Sequence, residues 1–326
     1  MIRDVGYPLT MEPLRRQWLA AVSWLAMAAP AHALMAGAAP DSPEARIDAN
    51  SPSSPWTSAV AVLTPGGTFS GVVVAPRFVL TASHVTGGAA PGAITVQLNH
   101  AATPLQIGAT AVTTFPGASF PYDDLSLITL ASPVPEGVEI LPIYREAPPA
   151  HQLLTLVGYG ASGHGDAGVG VRASAGIKRV GQNLLDDVQK RVDGSGRHSL
   201  FFLYDFDGPS GTGPLGGSGL GNAIETGVAG GDSGGPACAE IGGQRWLLGI
   251  NTVTLSASAG QAVDFRFGTI GGGMLLSDPR FLAWLETQTG GTLAPVPQPE
   301  LLPVWTLGAA VAVLGVAAVL AGRRRN

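Results

Sequence analysis

Ser233 stands in the hexapeptide Gly231-Asp232-Ser233-Gly234-Gly235-Pro236. Glycines flanking the Asp-Ser pair leave room beside the hydroxyl and permit backbone angles closed to other residues. In such a turn the amide hydrogens of Gly231 and Ser233 can converge on a point where an oxyanion develops. A serine hydroxyl becomes a good nucleophile only when a base takes its proton and an acid orients that base. The turn alone carries little weight in a chain with 46 glycines, so the base and the acid decide the matter.

The chain has six histidines: His32, His84, His100, His151, His164 and His198. His84 follows the apolar, β-branched run Val72-Val73-Val74-Ala75-Pro76-Arg77-Phe78-Val79-Leu80, in Thr81-Ala82-Ser83-His84-Val85. That pattern predicts a strand pair ending in a short turn of small residues, which fixes a ring at a strand end. His164 and His198 lie in Gly/Ser-rich stretches and are expected in solvent. For the acid, Tyr122-Asp123-Asp124-Leu125-Ser126-Leu127-Ile128-Thr129-Leu130 sets a carboxylate at the head of an alternating strand. Asp123 suits a turn, whereas Asp124 adjoins the strand and is the better orienting acid.

Together these residues resemble the trypsin/chymotrypsin-like serine proteases, in the family's order of His, Asp, then Ser. The segments are Thr81-Ala82-Ser83-His84, Asp124-Leu125-Ser126-Leu127 and the Ser233 hexapeptide. Gly158-Tyr159-Gly160 is similar to the family's Gly-Trp-Gly, and Leu247–Val253 to the strand that lines the substrate after the nucleophile. The resemblance implies a chymotrypsin-like fold of two six-stranded antiparallel β-barrels with a C-terminal helix. It implies Ser233 as nucleophile, His84 as base and then acid, Asp124 as orienting acid, and the amides of Gly231 and Ser233 as the oxyanion hole. It also implies that Asp232 pairs with a newly made N-terminal ammonium, as an activation latch. Cleavage after Ala31-His32-Ala33 would start the chain at Leu34, and cleavage after Arg46 would start it at Ile47. The distance to the first strand slightly favours Ile47.

The elements that must position these groups are short strands between Gly, Pro, Ser and Asp clusters, which predict an all-β body over residues 55–289. Expected strands are 58–63, 71–74, 78–81, 125–130, 153–159 and 246–253. Ser277-Asp278-Pro279 starts a helix over Arg280–Gln288 with Phe281, Trp284 and Leu285 inward. By the resemblance, the substrate pocket is walled by Gly227, Val228, Thr252, Thr254 and Gly268. Gly227 stands where trypsin-like members carry aspartate, so cleavage after small or medium uncharged residues is expected. Glu225 and Asp264 are near enough in sequence to alter this. Asp205 and Asp207 offer hard oxygen ligands for calcium, but two loop aspartates more often form solvated turns. No His/Cys cluster suits zinc, and neither metal nor cofactor is expected.

The chain has 326 residues, enough for one large β domain or two small barrels. With 18 Lys+Arg against 23 Asp+Glu and a net charge of −5, it has no field for a polyanion such as nucleic acid. A single cysteine, Cys238, excludes an intrachain disulfide and is expected as a buried, inert thiol. Arg15-Arg16, the apolar run Trp18 to Ala29 and Ala31-His32-Ala33 have the layout of a signal peptide over residues 1–33, with Met11 as an alternative start. Residues 34–54 would be a mature N-terminal segment or propeptide. After a Pro-rich linker, 290–300, the uncharged stretch 301–322 is long enough for a separate transmembrane helix, and a basic tail of residues 323–326 follows. This tail resembles the bacterial PEP-CTERM sorting signal, with Pro297-Gln298-Pro299 in place of Pro-Glu-Pro. The expected partners are therefore a peptide or protein substrate, signal peptidase and an exosortase-type sorting enzyme. The expected location is the surface, matrix or membrane of a Gram-negative bacterium. A non-catalytic binding protein on the same fold is the main competing reading. A serine esterase is disfavoured by the order of the three residues.

Overall fold

Short β-branched runs pair antiparallel throughout the computed structural model, which describes residues 34–211, 213–257 and 260–297. The expected signal peptide, transmembrane helix and basic tail lie outside the described residues. Among the described residues no helix is long and apolar enough to cross a membrane.

Six strands of the first half close a barrel. They are β2 (Ala59–Thr64), β3 (Gly67–Ala75), β4 (Phe78–Thr81), β5 (Thr95–Leu98), β6 (Leu105–Thr114) and β7 (Ser126–Leu130), in the order β2-β3-β4-β7-β6-β5. Because side chains alternate along a strand, β7 serves two interiors. Ile128 and Leu130 enter the barrel with Val60, Val62 and Val96, whereas Leu127, with Leu125 just ahead of the strand, faces the other half of the molecule. The short helix α1 (Ser83–Thr86) follows β4 directly and ends at Gly87 in the left-handed region.

The second half departs from the expected six-stranded barrel. Its sheet has eight strands, led by β1 (Ile47–Asp48) and continuing through β11 (Lys178–Leu184), β8 (Leu153–Gly158), β14 (Pro236–Ile241), β15 (Gln244–Leu255), β16 (Ile270–Leu275), β13 (His198–Asp205) and β12 (Asp187–Val192). No ladder joins β11 to β13. Instead Asn183 on β11 donates through its side chain to the carbonyls of Asp205 and Thr226, both at 2.8 Å. Two further strands, β9 (Ser162–His164) and β10 (Gly168–Val171), form a separate hairpin.

The largest apolar cluster lies between the barrel and the sheet. It joins Val72, Leu80, Leu125 and Leu127 to Leu247, Ile250, Met274 and the helix residues Phe281, Trp284 and Leu285. That helix, α2 (Pro279–Gln288), starts as expected: Asp278 accepts from the Arg280 amide and proline stands in the first turn. Cys238 is buried, and desolvation pushes its thiol up to about 12. Phe115 ties helix to barrel through edge-on contacts with Phe281 and Trp284.

Arg280 carries this tie to the acid loop. Its guanidinium donates to both oxygens of Asp123, at 3.1 and 3.0 Å, and to the His198 carbonyl at 2.6 Å. Asp123 is 1% exposed, has φ +50°, and also exchanges hydrogen bonds with Ser199. Arg280→Met would leave that buried carboxylate with one partner fewer. A loss of about 2 kcal/mol in unfolding free energy is expected in urea titrations, and an unchanged midpoint would show that the pair holds nothing.

Candidate active site

Three segments distant in sequence meet at the cleft. The helix α1 supplies His84, the turn before β7 supplies Asp124, and the turn before β14 supplies Ser233. His84 Nδ1 lies 2.6 Å from Asp124 Oδ2, and His84 Nε2 lies 2.9 Å from Ser233 Oγ. Phe120 meets the imidazole edge-on at 5.2 Å between centroids and limits its rotation.

Asp124 is wholly buried, and burial alone would raise its pKa. Hydrogen bonds from the His84 ring, the Ser83 hydroxyl and the His84 amide outweigh burial and hold the carboxyl below the ordinary range. Ser83 Oγ donates to Asp124 Oδ1 at 2.7 Å, and the His84 amide donates to the same oxygen at 2.9 Å. Sequence reasoning missed Ser83 as a partner, because a hydroxyl one residue before the histidine has no distinctive signal of its own. Thr252, expected in the pocket wall, is 4% exposed, is not among the cavity residues, and its Oγ1 has no partner among the described residues.

Ser70 on β3 is a second residue that the sequence did not single out. Its hydroxyl donates to the Gly231 carbonyl and accepts from the Tyr159 amide, both at 2.9 Å. Its amide donates to the Ser233 carbonyl at 3.1 Å. The Gly231 and Ser233 amides make no hydrogen bond among the described residues. Gly231 has φ +91° and Gly234 φ +85°. A Cβ on Gly234 would also stand 2.1 Å from Thr81 Oγ1 and 2.2 Å from the Ser70 carbonyl, so only glycine fits.

Asp232 points the other way, into the sheet. Its carboxylate accepts from the amides of Gly160 (3.1 Å) and Ala229 (2.9 Å). A Cβ on Gly158 would lie 2.1 Å from Asp232 Oδ1, which accounts for the first glycine of Gly158-Tyr159-Gly160. Burial pushes Asp232 well above the ordinary range, and the two amides and the buried Arg179 offset this only in part. The segment Leu34-Met35-Ala36 is fully buried and clusters with Val228 and Ala229. The Met35 amide donates to the Gly227 carbonyl at 2.8 Å, and the Leu34 and Met35 carbonyls accept from the hydroxyls of Ser162 and Thr226. Ile47, the alternative start, is 46% exposed and paired with Arg179 in a ladder. Arg46 before it is 8% exposed, with its guanidinium on Asp41 and on the carbonyls of Ala223 and Glu225.

The expected pocket residues fall in different places. Thr254 lines a cavity of about 140 Å³ with Phe120, Tyr122, Leu215, Val253 and Leu255, open beside the histidine. Gly268, at φ +88°, has its free side toward Pro214 of the same cavity wall. Gly227 sits over the Phe206 ring, which a Cβ would meet at 2.9 Å. Val228 is packed in the interior with Leu34, Leu154 and Leu248. The Glu225 carboxyl is buried and accepts from the amides of Asp207 and Leu220. Asp264 is exposed beside Arg266.

The arrangement can move a proton from Ser233 Oγ to His84 Nε2 while a buried anion holds the opposite ring nitrogen. The Trypsin family model matches residues 46–183, a span that contains His84 and Asp124. No curated protein matches the chain. On the family match, the protein is a serine endopeptidase.

Proposed function

We propose that the protein is an exported, surface-tethered endopeptidase that cleaves peptide bonds through an acyl-enzyme on Ser233. The observation that carries this reading is the unbroken chain of short contacts from Asp124 through His84 to Ser233. Ser233 Oγ attacks the scissile carbonyl as His84 Nε2 takes its proton, and the same nitrogen returns the proton to the leaving amine. Asp124 keeps the ring in the tautomer with hydrogen on Nδ1 and stabilises the imidazolium. Ser83 fixes the Asp124 carboxylate from its other oxygen. The amides of Gly231 and Ser233 receive the oxyanion. Export and tethering rest on the layout of the two ends of the chain. The binding-protein reading would leave these contacts without a purpose.

The same reading assigns Asp232 as the latch for an N-terminal ammonium at Leu34. A buried carboxylate needs a cation, and the segment beginning at Leu34 is already threaded next to the backbone that holds it. Signal-peptide removal would then complete the site directly, with no later cut at Arg46. Glycine at 227, where trypsin-like members carry aspartate, and a Glu225 carboxyl occupied by the Asp207 and Leu220 amides support cleavage after small or medium uncharged residues.

Three outcomes are expected. A fluorophosphonate probe labels the mature wild-type protein but not Ser233→Ala, and His84→Ala lowers kcat/KM by roughly 10⁴-fold or more; labelling elsewhere in Ser233→Ala would remove the nucleophile assignment. Sequencing of active, exported protein gives Leu34 as its first residue, whereas a start at Ile47 would restore the Arg46 cleavage. Profiling with a peptide library shows uncharged residues before the cut, and strong cleavage after Arg or Lys would reject the pocket assignment.

A further inference from the structure

Four carboxyl groups gather behind the cavity wall, away from the catalytic residues. Asp186 follows β11, Asp205 ends β13, Asp207 lies two residues on, and Glu225 closes the long loop that follows. Asp205 and Glu225 are each 2% exposed and Asp207 is 6% exposed. Asp207 Oδ1 is buried with no hydrogen-bond partner, and it faces Asp205. A Cβ on Gly213 would stand 2.3 Å from Asp207 Oδ1 and 2.6 Å from Asp205 Oδ2. On the other side, a Cβ on Gly219 would be 2.7 Å from Asp207 Oδ2 and 2.8 Å from Glu225 Oε2. Glycines at 213 and 219 thus let the loop lie directly on the carboxyls.

Those carboxyls also hold the loop. Asp205 Oδ2 accepts from the Leu215 amide, Glu225 Oε2 from the Leu220 amide at 2.6 Å, and Asp186 Oδ2 from the Asp205 amide at 3.0 Å. Leu215 and Pro214 are wall residues of the cavity beside His84. The cluster therefore sets one side of this cavity.

Among the described residues no cation is paired with these four carboxyls. Arg46, the basic side chain that reaches this loop, donates to main-chain carbonyls and pairs with Asp41. Among the described residues no group of three or more His, Cys, Asp or Glu side chains is arranged to hold a metal ion. Buried carboxylates this close cannot all be ionised, and a shared proton is the remaining way to satisfy Asp207 Oδ1.

We propose that Asp186, Asp205, Asp207 and Glu225 form a proton-operated lock on the loop at 213–224, and through it on the cavity wall at Pro214 and Leu215. Protonated, the carboxyls hydrogen-bond to one another and hold the Leu215 and Leu220 amides. Ionised, they repel and the loop loosens. Burial raises Asp186 and Glu225 each to about 7 and Asp207 to about 6, and the neighbouring carboxylates add to the rise. Folded-state values above the unfolded ones mean that the folded protein binds more protons. The contribution to stability is then fully present below about pH 4 and is lost as the pH rises through about 6 to 7.

The proposal concerns regulation of the proteolytic site, so its first test is made on the inactive Ser233→Ala protein, where folding is read without catalysis. The thermal midpoint is expected to fall by roughly 5–10 °C from about pH 5 to about pH 8. Adding Asp207→Asn or Glu225→Gln should flatten that dependence, chiefly by raising the midpoint near pH 8. In the active protein, KM for a peptide with a large apolar residue upstream of the cut should rise several-fold over the same range, and rise less in Asp207→Asn. A midpoint independent of pH, or unchanged in its pH dependence by both substitutions, overturns the lock. Stabilisation of the parent near pH 8 by millimolar calcium chloride, abolished by Asp207→Asn, overturns it in favour of a cation site.

Discussion

The site depends on one buried serine that reacts with nothing. His84 and Asp124 come from a closed barrel and Ser233 from a separate sheet, so the contacts among them require the two to be held within tenths of an ångström. Ser70 does this through three hydrogen bonds, to the Gly231 carbonyl, the Ser233 carbonyl and the Tyr159 amide. Because Ser70 is 1% exposed, water cannot replace those partners. Losing the hydroxyl would leave a buried carbonyl and a buried amide unpaired. The clamp also fixes the turn itself, since the peptide units of the Gly231 and Ser233 carbonyls carry the Asp232 and Gly234 amides, which donate to the Ala229 and Asn251 carbonyls.

Electrostatics divides the buried acids into three kinds. Asp124 is held as an anion by donors from three groups, and it faces the one imidazole that needs it. Asp123, its neighbour in sequence, is neutralised by Arg280 and ties the acid loop to the closing helix. Asp232 has amides but no ion-pair partner among the described residues, a condition that an ammonium next to the Leu34 segment would relieve. Each carboxylate has a different fate because each faces a different set of donors, although all three sit at turns.

The short apolar runs that become β2, β3, β4, β7 and β8 were legible because alternation and β-branching act locally. So was α2, whose Asp cap and first-turn proline are both signals close in sequence. The strand β16 was not legible, since Gly271-Gly272-Gly273 reads as loop. Those glycines are there because Tyr204, the Phe202 carbonyl and the Ile250 carbonyl of neighbouring strands leave no room for a Cβ. The strand β11 was missed for the opposite reason. It opens on Lys178-Arg179, residue types seldom buried, yet Lys178 is fully buried against Asp48 and the Trp56 carbonyl.

The residue types and their order determined the chemistry: a serine in a glycine turn, a histidine at a strand end and an aspartate at a strand head. These are local requirements of backbone angle and side-chain type, and a sequence states them directly. Only the tertiary structure decided which further groups serve them. Ser83 donates to Asp124, Ser70 holds the turn at Ser233, Leu34 is buried while Ile47 is exposed, and the second half forms an eight-stranded sheet in place of the expected barrel. Each of these is a contact between segments remote in sequence. Which donor reaches which acceptor depends on packing, and no local pattern encodes that.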